Sequence, residues 1–383
     1  MPTFNNRVLV LIAGTLFFTS ACGGSTAVPS GASLVSAPTV DSIAPVDTTS
    51  ILKKLTENVA IGSTVDSKNG DKGPRKISLV RSTFVLQAGQ LLVCNFENSA
   101  GTTGKGTTIE VLNPKPRSKP VTFTQNTKIS GCDGNAITEA NQVYGTGRGS
   151  NFVSKFDQTG SLKQSFSAFM AGPFDDVDAF CGLPYAPEDI YVSNSQTGSV
   201  VKVAFTSVSG KTKLTQVISG FAINKGFGWG VLGPSGLQYN NHRIGSLCND
   251  TLYIVDGVDN TVIAVSNASN LLEKDEIVVQ RGGKTFKCVH PSKTCAKVVY
   301  SGSPLNAPVA SALLPNGNLI VANTKGGNTL VELTPTGKIL ATKTIDTSTT
   351  AHIFGLLATG TTDSDTALFY TDTKTNTLQE LSQ

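Results

Sequence analysis

The chain has 383 residues, enough for one large core or two ordinary domains. Charged residues make up only 15%, with 38 Gly, 2 Met and 1 Trp among abundant Thr, Ser, Val and Asn; this argues against a helical bundle and for short strands joined by turns. The formal charge of +4 is small and carried by scattered Lys and Arg with no basic run, so a nucleic-acid partner is not expected.

Arg7 precedes an apolar run from Val8 to Phe18, followed by Thr19, Ser20, Ala21 and Cys22. That run is too short to span a bilayer as a resident helix, so residues 1–21 are expected to be an export signal. Its ending resembles a bacterial lipoprotein signal. The resemblance implies that Cys22 is lipidated and, because Gly23 follows, that the protein reaches the outer membrane of a two-membrane cell. The alternative is an ordinary signal peptide cut near Ala21. Residues 22–76 are expected to form a tether. Gly23 to Ser50 is small, polar and Pro-punctuated, with a coil reach of roughly 30 Å. ILKKLTENVA, from Ile51, suits one or two helical turns capped by Thr49 or Ser50. SKNGDKGPRK then reads as a loop with solvated Lys and Arg.

From 77 to 383 the pattern is β throughout. TLYIVDGVDNTVIAV, from Thr251, is two alternating apolar runs around an Asp, Gly and Asn turn, which is the sequence form of a hairpin with one buried face. Looser copies begin at Leu91, Gln142, Asp189, Asn318 and Ala367, making six. CDGNAITEAN, GPSGLQYNN, APVASALLPNG and IFGLLATG each supply a strand before one of the hairpins. An inner strand, a hairpin and an outer strand make a four-stranded sheet that must stack on its neighbours, and six such sheets close radially as an all-β, six-bladed β-propeller. A seventh, degenerate blade within residues 266–308 stays open at this point. The Asp or Asn ending each first hairpin strand (Asn95, Asn194, Asp256, Asn323, Asp372) is expected to bond the turn backbone.

PNGNLIVANT, DTLYIVDGVDNTVIAV and EDIYVSNSQTGSVVKV resemble NHL-type and SMP-30/gluconolactonase-like propeller repeats. The latter resemblance implies an axial divalent ion held by Glu, Asn and Asp. Carried over by segment, Asn306 (in LNAPVASALLPNGNLIVAN) and Asp133 (in GCDGNAIT) take two of these roles, and oxygen ligands suit Ca²⁺ or Mg²⁺. STFVLQAGQ, where the Glu would lie, has no acid, and Ser235 stands where an Asp or Asn could sit. His352 joins Asp133 and Asn306 as a residue to test in a hydrolase that polarises an ester carbonyl. No Gly-x-Ser-x-Gly elbow, Walker loop or His-Glu-x-x-His occurs.

Beyond Cys22, the six cysteines are Cys94, Cys132, Cys181, Cys248, Cys288 and Cys295. An even number in an exported chain implies disulfides, with 15 possible pairings. Cys288 and Cys295 enclose a short loop suited to a local clasp, and Cys94 with Cys132 and Cys181 with Cys248 are the simplest remaining pairs. The connection from Ser219 to Asn249 gathers Phe221, Phe227, Trp229, Tyr239, His242 and Arg243 among glycines. Aromatics on such a loop can line a shallow face for a protein, peptide or carbohydrate. These readings favour a lipid-anchored binding or scaffold module with no required cofactor; the alternative is the metal-dependent lactonase-like hydrolase.

Overall fold

The computed structural model describes residues 48–138, 141–167, 176–179, 190–205, 212–227, 230–244 and 247–383. The signal segment, Cys22 and most of the tether lie outside them. Six sheets form the blades, and each but blade 6 takes its inner strand first in sequence. The inner strands are Lys72–Leu79, Cys132–Ile137, Asp176–Ala179, Pro234–Ile244, Pro308–Leu313 and Leu356–Thr359 for blades 1 to 6. Each borders the next, and blade 6 borders blade 1, so the strands surround one axial channel. The hairpins expected from the repeats supply the second and third strands of every blade.

The alternation along each hairpin explains the stacking. In blade 3, Ile190 and Val192 pack with Tyr144 and Val153 of blade 2, while Tyr191 between them packs with Leu252 and Ile254 of blade 4. Both faces of a strand are therefore apolar, and IYVSN and LIVAN are buried at every position. Separate apolar clusters fill all six blade interfaces.

The ring begins earlier in the chain than residue 77. Glu57–Ser63, within the expected tether, is the outermost strand of blade 6 and pairs antiparallel with the last strand, Thr377–Ser382. Its register runs from Glu57 opposite Ser382 to Ser63 opposite Thr377, with an irregularity between Ala60 and Gly62. A Cβ on Gly62 would sit 2.0 Å from the Ser118 carbonyl oxygen, so only glycine lets the strand lie this close to blade 1. The segment before it is a single turn. The Leu55 N–H donates to the Ile51 carbonyl, and Ser50 Oγ accepts from the Lys53 N–H, as expected for that cap. This turn is not a tether, because Ile51, Leu52 and Leu55 are fully buried between blades 5 and 6. Glu332 holds it there: its carboxylate accepts from the Ser50 hydroxyl at 2.6 Å and from the Leu52 and Ile51 N–H groups at 2.9 and 3.2 Å.

There is no seventh blade in 266–308. Ile277–Gln280 and Thr285–Cys288 form a hairpin that extends the outer edge of blade 3, and Cys295–Ser301 completes blade 4. Cys288 and Cys295 are bonded, closing the local clasp. Cys94 is bonded to Cys132, joining the second strand of blade 1 to the inner strand of blade 2. Cys181 lies outside the described residues, as does the side chain of Cys248. The two bridges fit an oxidising, extracytoplasmic compartment. Among the described residues no helix is long and apolar enough to cross a membrane.

The Asx positions act in two ways. Asn194, Asp256 and Asp372 accept turn N–H groups through Oδ1, as their sequence setting suggests. Asn95 and Asn323 instead clasp across the sheet. Each donates from Nδ2 to a threonine on the third strand (Thr108, Thr329) and to a carbonyl ahead of the inner strand (Thr64, Pro304). Blade 4 has the threonine, Thr261, but offers it Asp256. Neither Asp256 Oδ2 nor Thr261 Oγ finds a hydrogen-bond partner among the described residues. Burial, reinforced by the charge of Asp259, pushes the Asp256 carboxyl up to about 7. It therefore keeps its proton in the fold long after the unfolded chain has lost it, and its contribution to stability drains away as pH rises through 7. Asp256→Asn supplies the missing amide donor. At pH 8 it should raise stability by up to about 4 kcal/mol, and at pH 4 it should change little. Thermal melts at the two pH values check this.

Candidate functional site

The mouth of the channel at the start of the inner strands carries the residues with the most chemistry. Register irregularities near the starts of the inner strands of blades 1 and 2 set Arg75 and Asp133 off the regular ladder. Arg148, on the turn between the second and third strands of blade 2, places its Nη2 2.6 Å from Asp133 Oδ2. Arg75 Nε lies 3.7 Å from the other carboxylate oxygen. The Arg75 guanidinium also rests 3.5 Å from the ring centre of Phe354 and 4.3 Å from that of Phe96. One carboxylate thus meets two guanidiniums, one of them between aromatic faces, and Asp133 and Arg75 are nearly inaccessible to solvent. In such a place the charges hold one another strongly and fix the side chains.

This arrangement overturns part of the sequence reading. Arg75 and Lys76, read as solvated loop residues, are buried on the inner strand of blade 1. The segment STFVLQAGQ, where an acid was sought, follows that strand and belongs to the opposite mouth. What blade 1 brings to the axial mouth is an arginine. A divalent cation at Asp133 would face two guanidiniums, so the residues present do not fit the ion that the family resemblance implies.

Asn306 lies in the segment leading into the inner strand of blade 5 and is exposed. Its N–H donates to Asn323 Oδ1 at 2.9 Å and its carbonyl accepts from the Lys325 N–H, so its backbone is tied to its own blade. Ser235 is on the inner strand of blade 4. Among the described residues no group of three or more His, Cys, Asp and Glu is arranged to hold a metal.

His352 is not presented to a ligand. It is 3% exposed, with Nε2 2.6 Å from Asp346 Oδ2 and Nδ1 3.0 Å from the Thr350 carbonyl oxygen. Its backbone N–H donates to Asn328 Oδ1 and its ring Nδ1 lies 3.2 Å from Asn328 Nδ2, so the residue locks the link between blades 5 and 6. Burial raises the Asp346 carboxyl, but the Ser348 N–H, the Asn328 amide and His352 outweigh it and leave it below the usual range. Tyr239 is likewise engaged. It stacks on Tyr191 with ring centres 6.2 Å apart and donates to Asp250 Oδ2 at 2.5 Å. His242 and Arg243 occupy the far end of the inner strand of blade 4, opposite Asn249 and Cys248. Their side chains, like Trp229, lie outside the described residues.

Arg75, Arg148, Phe96 and Phe354 went unread in the sequence. KGPRK has the Gly, Pro and charge of a loop, and GTGRGS reads as a turn; only Phe354, inside the expected strand IFGLLATG, carried a positional signal. Beyond this cluster, toward the other end of the inner strands, the channel holds a cavity of about 230 Å³.

No protein-family model matches the sequence, and no curated protein sequence matches it either. Solved structures do. The chain is similar to the gluconolactonase XC5397 from Xanthomonas campestris, at 12% identity over 81% of this chain and 86% of that one, with a TM-score of 0.51. A protein of unknown function from Bacteroides thetaiotaomicron matches at 11% identity, 84% and 74% coverage and a TM-score of 0.50. Virginiamycin B lyase from Staphylococcus aureus matches at 14% identity, 85% and 98% coverage and a TM-score of 0.48. At such identities the likeness is one of fold, and the fold is the six-bladed propeller with SMP-30/gluconolactonase-like and NHL-type neighbours.

Proposed function

We propose that this chain is a lipid-anchored binding or scaffold module of the bacterial envelope, held by Cys22 at the outer membrane and directed at a protein, peptide or carbohydrate. The observation that carries the reading is Asp133. The one acid that the family pattern offers the axis is paired with Arg148 at 2.6 Å and flanked by Arg75, so it is already engaged where the hydrolases need a carboxylate for a metal. The lipoprotein-like ending at Cys22 and the two disulfides support the address.

The test is a melting-temperature titration of the full chain, freed of metal by chelator, with Ca²⁺, Mg²⁺ and Zn²⁺. An ion at 100 times its dissociation constant adds about 2.7 kcal/mol to a native state that binds it. The expected result is no saturable shift that depends on Asp133 or Asn306. A shift abolished by Asp133→Asn or Asn306→Ala would overturn the binding reading and promote a metal-dependent hydrolase.

A further inference from the structure

Asp256 and Thr261 stand at the two ends of the turn between the second and third strands of blade 4, and Asp259 lies on that turn. Asp256 and Thr261 are fully buried. Asp256 Oδ1 accepts from the Val258 and Asp259 N–H groups, at 3.0 and 3.4 Å. Its Oδ2 and the Thr261 hydroxyl are left without a partner among the described residues.

These two oxygens face one spot. A Cβ on Gly283, at the tip of the hairpin that extends blade 3, would lie 3.0 Å from Thr261 Oγ, 3.3 Å from Asp256 Oδ2 and 3.3 Å from Asp259 Cβ. Glycine leaves that spot open. Asp259 Oδ1 would be 3.6 Å from a Cβ on the neighbouring Gly282, so the second carboxylate borders the same space. Arg281 and Lys284 flank the glycines but are exposed, and the ion pairs among the described residues include neither of them and neither carboxylate.

Blades 1 and 5 show what this space needs. Asn95 and Asn323 occupy the position of Asp256 there, and each amide donates to the threonine that corresponds to Thr261. An ionised carboxylate cannot donate. Blade 4 therefore turns a carboxylate and a hydroxyl oxygen toward the place where the amide hydrogens would be, and adds a second carboxylate. A cation meets all three groups at once, and two carboxylates so close favour it strongly. Hard oxygens from two acids and a hydroxyl suit calcium, which accepts irregular oxygen shells at about 2.3–2.6 Å. Asp259 is half-buried, so water can complete the shell.

We propose that Asp256, Asp259 and Thr261 form a calcium site on blade 4, covered by Gly282 and Gly283 of the hairpin from blade 3. Two acids make it a weak site, with a dissociation constant on the order of 0.1–1 mM, as in extracellular modules. The site lies on the second and third strands and has no part of Asp133 in it, so it goes beyond the binding reading and does not depend on it.

The test is a Ca²⁺ titration of the full chain, stripped by chelator, at pH 8 and fixed ionic strength, followed by calorimetry and melting temperature. One saturable event is expected, with a rise of about 2–5 °C by about 10 mM Ca²⁺. Asp256→Asn and Asp259→Asn should each weaken the binding about tenfold or more. Asp256→Asn is expected to be the more stable protein in chelator, so loss of its response does not report a damaged fold. No saturable response by about 20 mM Ca²⁺ overturns the site and leaves the binding reading standing. A response unchanged in either variant overturns it as well. A response kept in both and lost in Asp133→Asn overturns the site and the binding reading together.

Discussion

A chain that begins at Thr64 should fail to form a monomeric propeller. It lacks the outer strand of blade 6 and the buried turn before it. In every other blade the four core strands lie in order along one stretch of chain; blade 6 borrows Glu57–Ser63 from the far end. Without it, Thr377–Ser382 becomes an unpaired edge, and Ile61 no longer fills the interface shared by Ile77, Phe369 and Leu378. Ile51, Leu52 and Leu55 also leave the interface between blades 5 and 6. Four fully buried apolar side chains, at about 1.5–3 kcal/mol each, represent on the order of the whole stability of an ordinary domain. Gel filtration and near-ultraviolet dichroism should report aggregation or loss of fixed packing. Glu332→Ala, which strands the Ile51 and Leu52 N–H groups, should show a milder form of the defect, at about 3 kcal/mol. A truncated chain melting within a few degrees of the full one would mean that closure resides elsewhere.

Glu110→Gln should stabilise the protein above pH 8 by about 4 kcal/mol and do almost nothing at pH 4. Glu110 is completely buried on the third strand of blade 1, near Asp66 and Asp71 of the link between the closing strand and the first inner strand. Burial first, then the neighbouring Asp66 carboxylate, push its carboxyl from 4.5 up to about 8. Asp66 moves the other way. Burial raises it, but the Thr122 hydroxyl and the Asn69 and Lys68 N–H groups outweigh that and hold it ionised. Between pH 4.5 and 8 the folded chain therefore keeps a proton on Glu110 that the unfolded chain has released. Stability from this site is complete below 4.5, declines as pH rises and is gone once pH passes 8. The glutamine cannot ionise and should flatten that slope. Urea melts at several pH values give the answer, and parallel slopes for the two proteins would refute it.

The hairpins were legible because each strand is enclosed by two neighbouring blades, so its apolar pattern survives without help from distant sequence. Ile190, Tyr191 and Val192 announce a strand by themselves. The closing strand ENVAIGS was not, because only Ile61 of its seven residues is classed as buried, and its partner lies more than 300 residues away. The inner strand KGPRKISL hides behind a Gly, a Pro and three cations that a loop would also carry. Their burial depends on groups from elsewhere in the ring: Phe354 of blade 6 and Asp133 of blade 2 receive Arg75. The same dependence explains the candidate site. Asp133 was found from its Asp-Gly setting, but what it can bind depends on Arg75 and Arg148, which no local pattern ties to it. His352, singled out as one of three histidines, is spent on Asp346 and Thr350 within a connection whose geometry the sequence does not display. The seventh blade fails for a related reason, since the spare hairpin at 277–288 finds its edge on blade 3, which precedes it in the chain.

The pairing of Glu57–Ser63 with Thr377–Ser382 also sets an order of events during synthesis. Blades 1 to 5 can assemble as their strands emerge, but Glu57–Ser63 must wait, unpaired, for Thr377–Ser382. Until then the nascent protein carries an open arc with exposed edges at both ends, the state most open to association with another copy. Contacts that span nearly the whole chain also make this final step slow compared with the local hairpins. A chain without Thr377–Ser382 would thus stay an open arc, however well its other blades had formed.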